Sequence, residues 1–181
     1  MNKKLSKSIL ISNYCLVFII LGMIVFSKPI FAAAGDLDLS FGSNGIVSTL
    51  IPNENIGSAT DIVIQPDGKS VVSVLARGAS GFDLAIVRYN LDGTLDTSFS
   101  GDGIINTPFG SDTDMLSDIA LQPDGKILAV GSLSTNSSGG FLVMRFNSDG
   151  SPDTSFDGDG IVLNTVLGSA NGLAVAVQAD G

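Results

Sequence analysis

The chain of 181 residues carries nine basic and 18 acidic side chains, no histidine and one cysteine, for a net charge of −9 at pH 7. A polyanion of this strength repels nucleic acid and anionic lipid, because both need a cationic face. Without histidine and with Cys15 alone, the chain cannot build a disulfide framework, a Ser-His-Asp or Cys-His arrangement, or a common zinc site.

The first element is a leader. Lys3, Lys4 and Lys7 precede the apolar run Leu16 to Phe26, and Ala32 and Ala34 complete an A-x-A site. That order marks residues 1–34 as a secretory signal peptide cut between Ala34 and Gly35. The rival, an uncleaved membrane anchor, fails on length, since the run falls short of the roughly 20 residues that span a bilayer. Cys15 lacks the small neighbours of a lipoprotein site. The mature residues, 35–181, then hold 18 acidic residues against Lys69, Arg77, Arg88, Lys126 and Arg145, a net charge of −13. The expected location is secreted or at the cell surface, with no membrane contact once the signal is cleaved.

The mature elements read as strands and turns. "GIVSTLI" (Gly45 to Ile51) is rich in branched residues that suit a pleated surface. "TDIVIQ" and "KSVVSVLA" flank Pro66-Asp67-Gly68, where proline presets one turn dihedral and glycine accepts a positive φ. "FDLAIVRYN" (Phe82 to Asn90) follows and ends at a second turn, Asp92-Gly93. The same texture returns in "GIINTPF", "SDIALQ", "KILAVGS" and "GFLVMRFN". No segment shows a sustained helical period.

The motifs keep one register. Phe41, Phe99 and Phe156 are 58 and 57 residues apart, Gln65, Gln122 and Gln178 are 57 and 56 apart, and Arg88 and Arg145 are 57 apart. The units run about 36–93, 94–150 and 151–181, the last truncated. A four-stranded antiparallel meander repeated at this length is the unit of a β-propeller, rather than of a β-solenoid or β-sandwich. The expected fold is all-β and β-propeller-like, an incomplete ring of about two and a half blades.

"LDTSFSGDGII" (Leu95 to Ile105), "ALQPDGKILAVG" (Ala120 to Gly131) and "RFNSDGSPDTSF" (Arg145 to Phe156) together resemble the delta-60 repeat family. The resemblance covers Asp36 to Gly181, and departs at Gln178, where "QADG" replaces "QPDG". It implies β-propeller-like repeats in exported bacterial proteins, often in long arrays, and no catalytic residue set.

Candidate chemistry is sparse. Asp153, Ser155, Asp157 and Asp159 resemble the front of a calcium loop, but the twelfth place, which needs a bidentate Glu, holds Asn164. Turn geometry explains these residues better. A paired-carboxylate glycosidase has Glu54 as its one Glu, and most Asp residues sit in repeated turns. Arg88 and Arg145 share one repeat position, and they read as clamps for turn carboxylates, with Asp96 and Asp153 as partners. Tyr89, Phe146, Phe41, Phe99 and Phe156 read as core. No catalytic, cofactor-binding or metal residue is assigned, and no cofactor is expected. The expected function is a non-enzymatic binding or surface scaffold module with an unknown protein or carbohydrate ligand, and neighbouring repeats are needed to close the ring. The alternatives are part of a carbohydrate-active enzyme whose site lies in other blades, or a structural spacer.

Overall fold

Two hairpin turns set the frame. Gln65 and Gln122 donate from their backbone N–H to the carbonyls of Lys69 and Lys126, both at 2.8 Å, closing the Pro-Asp-Gly turns. Gly68 and Gly125 sit there at φ +86° and +85°, which a side chain rarely tolerates. Each turn joins the first two strands of a sheet. The computed structural model describes residues 35–54, 56–77, 81–107, 114–134, 139–166 and 170–179. The signal peptide expected at 1–34 lies outside the described residues.

Among the described residues are eight strands in two four-stranded antiparallel sheets. Sheet 1 runs β1 (Ile56–Ile64), β2 (Ser70–Arg77), β3 (Phe82–Tyr89), β4 (Ile104–Thr107) in that order, and sheet 2 runs β5 (Met115–Leu121), β6 (Ile127–Ser134), β7 (Gly139–Phe146), β8 (Ile161–Val166). The sheets are open rather than closed, a partial propeller-like arrangement of the expected all-β class.

The meander is not cut where the sequence repeat begins. Gly45 to Ile51 was expected as the opening strand of its unit, yet among the described residues it forms only an isolated bridge, Ser43 to Ile46. The equivalent segments one and two repeats later, β4 and β8, are fourth strands on the sheet before them, with Val87 opposite Ile104 and Met144 opposite Ile161. The loop enforces this. Asp96 N donates to Arg88 O and Arg88 N donates to Gly103 O, both at 2.9 Å, so residues 95–103 fold back along β3.

The core lies between the sheets. Val71, Leu84 and Ile86 from sheet 1 meet Leu116, Ala129, Leu142, Met144 and Phe146 from sheet 2. A second cluster, Val74, Ala76, Ala85, Val87 and Ile104, lies on the opposite side of sheet 1 under Ile51. β3 is therefore buried on both faces from Leu84 to Arg88, whereas β7 alternates between buried and half-buried. Of the three phenylalanines expected as core, Phe99 is fully buried, but Phe41 and Phe156 are half-buried. Among the described residues, only Phe99 of the three has both an arginine on one side and a following turn, at Gly150, on the other.

Candidate functional site

The strongest electrostatics lie at the two arginine positions. On β3, Arg88 Nε donates to Asp96 Oδ2 at 2.7 Å and Nη2 to Ser98 Oγ at 3.1 Å, while the guanidinium lies 4.5 Å from the Phe99 ring centroid. On β7, Arg145 repeats this with Asp153 Oδ2 at 2.7 Å, Ser155 Oγ at 3.2 Å and Phe156 at 4.5 Å. The clamp partners expected from sequence are thus the observed ones. A third member was missed: Lys69 Nζ stands 2.8 Å from Asp96 Oδ2, and Lys126 Nζ 3.4 Å from Asp153 Oδ2. The lysines' shared repeat position was the available signal.

Each carboxylate is also gripped by its own loop. Asp96 Oδ1 accepts from Ser98 N at 3.1 Å and Ser98 Oγ at 2.7 Å, and Asp153 does the same with Ser155. Burial opposes ionisation of Asp96, but Lys69, Ser98 and Arg88 outweigh it and hold the carboxyl far below the usual range. For Asp153 the Ser155 hydroxyl leads, burial opposes, and the Ser155 amide and Arg145 complete a fall from 3.8 to about 2.

The first clamp also joins the sheets. Arg88 Nη1 donates to Ser148 O in the turn after β7, and Ser100 N donates to Asp149 O at 2.8 Å. Closer to the strands, Ile119 N donates to Asp61 Oδ2 at 3.1 Å, and one repeat on, Val175 N donates to Asp118 Oδ2 at 2.8 Å. Both aspartates follow a β-bulge, at Ala59/Asp61 and Leu116/Asp118, which turns the side chain away from its own ladder. Sequence reading missed these brackets, although Asp61 and Asp118 are 57 residues apart.

The aspartates of the calcium reading serve their turns: Asp153 Oδ1 caps Ser155, and Asp159 Oδ1 accepts from Ile161 N at 2.9 Å. Among the described residues no group of three or more acidic side chains is placed to hold a metal.

A cavity of about 300 Å³ opens between residues 47–51 and sheet 1, lined by Val72, Val74, Val87 and Tyr89 and by Glu54 at one end. Tyr89 Oη donates to Thr49 Oγ1 at 2.7 Å across it. Asn106 Nδ2 lies 3.4 Å from Glu54 Oε1, while Glu54 Oε2 and Asn106 Oδ1 are buried without a donor. Burial raises the Glu54 pKa, Asn106 lowers it, and the hydrogen-bonded, like-charged Asp83 raises it further. Glu54, Asp83 and Asn106 come from three separate segments, and no motif joins them in the sequence.

Two stretches, residues 65–99 and 122–156, match the family described as "Domain of unknown function (DUF5122) beta-propeller". Each stretch runs from the glutamine of the Pro-Asp-Gly turn to the clamp phenylalanine, and so contains one full set of lysine, arginine, aspartate and phenylalanine. Neither the curated proteins nor the solved structures searched gave a match. Two open sheets, each fastened by the same Arg–Asp–Lys clamp inside a matched stretch, make residues 65–99 and 122–156 two repeats similar to those of the DUF5122 β-propeller family.

Proposed function

We propose that the protein is an exported bacterial β-propeller module, secreted or held at the cell surface, which acts as a non-enzymatic binding or scaffold unit. The observation that carries this reading is where the ionic chemistry goes. Four of the five basic residues outside the leader are placed in the structure by charge or ring contacts that serve the fold: Lys69, Arg88, Lys126 and Arg145. A group reused once per repeat supports the stack rather than one reacting centre. The leader, with its basic, apolar and A-x-A parts in order, supports export.

The Glu54–Asp83 pair in the cavity favours a second reading, a carbohydrate-active enzyme. Its geometry argues against that reading. Asp83 acts on Glu54 as a close like charge that raises its pKa, whereas glycosidases keep their two carboxyls at least about 5 Å apart to admit the sugar or water.

Export is tested by sequencing the N-terminus of protein released from, or shaved off, intact cells. It should begin within about two residues of Gly35; intact Met1 in that fraction refutes the proposal. Glycan hydrolysis that Glu54→Gln abolishes would refute the non-enzymatic part.

A further inference from the structure

Residues 37–51 hold one half of a clamp and one edge of a sheet, and among the described residues neither has its other half. Asp38 Oδ1 accepts from Ser40 N at 2.9 Å and from Ser40 Oγ at 2.6 Å, the same grip that readies Asp96 and Asp153 for their arginines. The loop closes identically as well: Gly45 N donates to Phe41 O at 2.9 Å, as Gly103 N does to Phe99 O and Gly160 N to Phe156 O. Yet among the described residues no cation reaches Asp38 Oδ2, and no arginine stacks on Phe41.

The strand that follows has the same gap. Gly42 N donates to Asp92 O at 2.7 Å, as Ser100 N does to Asp149 O, so the segment is seated on sheet 1 as β4's preceding loop is seated on sheet 2. Where β4 and β8 pair with a third strand, Ile46 to Ile51 has no ladder partner among the described residues, and Leu50 is 88% exposed. The cavity beneath continues this vacancy. Its walls Val72, Val87 and Tyr89 correspond to Ala129, Met144 and Phe146, which in sheet 2 are covered by Val71, Leu84 and Ile86 of the preceding sheet. Nothing before Leu37 carries the third-strand motif "FDLAIVRYN" or "FLVMRFN".

We propose that residues 37–51 form an acceptor site for an arginine-bearing β-strand from another unit of this repeat. The incoming strand runs antiparallel to Ile46–Thr49, in the register of β3 on β4. The residue matching Val87 sits opposite Ile46, and the one matching Ile86 sits opposite Val47. Its arginine takes Asp38 Oδ2, Ser40 Oγ and the Phe41 ring, and its sheet fills the cavity. Main-chain bonds supply affinity, and the alternate side chains with the charge-assisted arginine supply specificity. The site goes beyond the scaffold reading above and stands without it, because export plays no part in the geometry.

The probe is a synthetic peptide with the sequence of residues 139–150, "GGFLVMRFNSDG", titrated onto the full chain. Saturable binding is expected, with slowed amide hydrogen exchange at residues 46–49. Asp38→Asn, an exposed change that leaves the core alone, should weaken binding about tenfold. Replacing the peptide's arginine by leucine should weaken it equally, and combining both changes should cost no more than either alone. No binding at about 1 mM peptide, or binding indifferent to both changes, overturns the proposal.

Discussion

Arg88 and Arg145 occupy the same repeat position, yet their surroundings differ. The Arg88 side chain is 6% exposed and has the Ser148 carbonyl as a further acceptor, while Arg145 is 19% exposed and its Nη1 has no acceptor among the described residues. Removing one partner of a buried, hydrogen-bonded pair strands the other charge, at a cost of about 3 kcal/mol. Arg88→Leu should therefore lower the urea unfolding free energy by that amount, and Arg145→Leu by distinctly less, because water can reach the stranded Asp153. Equal losses, or none, would contradict the clamp. The carboxylates give the pH dependence. Asp96 and Asp153 ionise more readily folded than unfolded, so their contribution is complete above the ordinary value of 3.8 and is lost as pH falls through the folded values, about 2 for Asp153. Glu54, shifted upward, works in the opposite sense: its folded form takes up a proton at higher pH, which favours the fold as acid is added. Urea midpoints should hold through neutral pH and decline below about pH 4, and Asp153→Asn should flatten part of the decline. A profile unchanged down to pH 2 would show that the clamps contribute nothing.

At the scale of elements, hairpins and turns were legible because Pro-Asp-Gly and Asn-x-Asp-Gly constrain backbone dihedrals locally. The phase of the sheets was not. A fourth strand is assigned to its sheet by bonds on either side of Arg88, made with residues eight and 15 positions further on, and nothing in the strand "GIINT" itself marks which neighbour it takes. The bulges escaped notice for a related reason, since Thr60 and Ser117 look like ordinary strand residues until their partners are known. Gly131 shows how tightly one of these bulged pairs is drawn. It lies opposite Leu116, and a Cβ there would stand 1.9 Å from Met115 O. Gly131 O also accepts from Gly172 N at 3.0 Å, so the strand cannot back away freely. Gly131→Ala should destabilise the protein by about 2 kcal/mol, in the range of overpacked cores. The same change at Gly101, where a Cβ would meet nothing, tests only the φ of +89° and should cost about 1 kcal/mol. Similar losses at both sites would mean that the backbone near Met115 yields. The aspartate turns carry a separate expectation. Their Oδ1 atoms are spent on the amide two residues on, so chelation of calcium should leave the melting temperature unchanged. A drop of many degrees would show that the loops hold an ion after all.

The stack as a whole is asymmetric. On sheet 1, Val71, Leu84, Ile86 and Arg88 are 0%, 1%, 1% and 5% exposed under sheet 2. Their counterparts Leu128, Phe141, Val143 and Arg145 are only half-buried, and no turn among the described residues covers Phe156 as Gly150 covers Phe99. Residues 170–179 lie against sheet 2 through two backbone donors, Gly172 to Gly131 O and Val175 to Asp118 Oδ2, with Leu173 75% exposed. Position 174, which matches Asp61 and Asp118, is alanine, so this segment has no carboxylate with which to bracket a following sheet. Among the described residues this leaves an apolar face beside an unpaired edge, a combination that natural β-proteins cover or charge to avoid association. A net charge of −13 slows encounters between copies but does not mask a face of this kind at physiological salt, where surface charge is screened within about 8 Å. The polypeptide 35–181 should therefore self-associate in a concentration-dependent way during sedimentation, more strongly as salt is raised. Val143→Lys together with Leu173→Lys should reduce that association without lowering the unfolding midpoint, because both side chains point away from the shared core. A cooperative monomer at about 100 μM, well above the range where exposed apolar faces find one another, would mean that sheet 2 needs no cover.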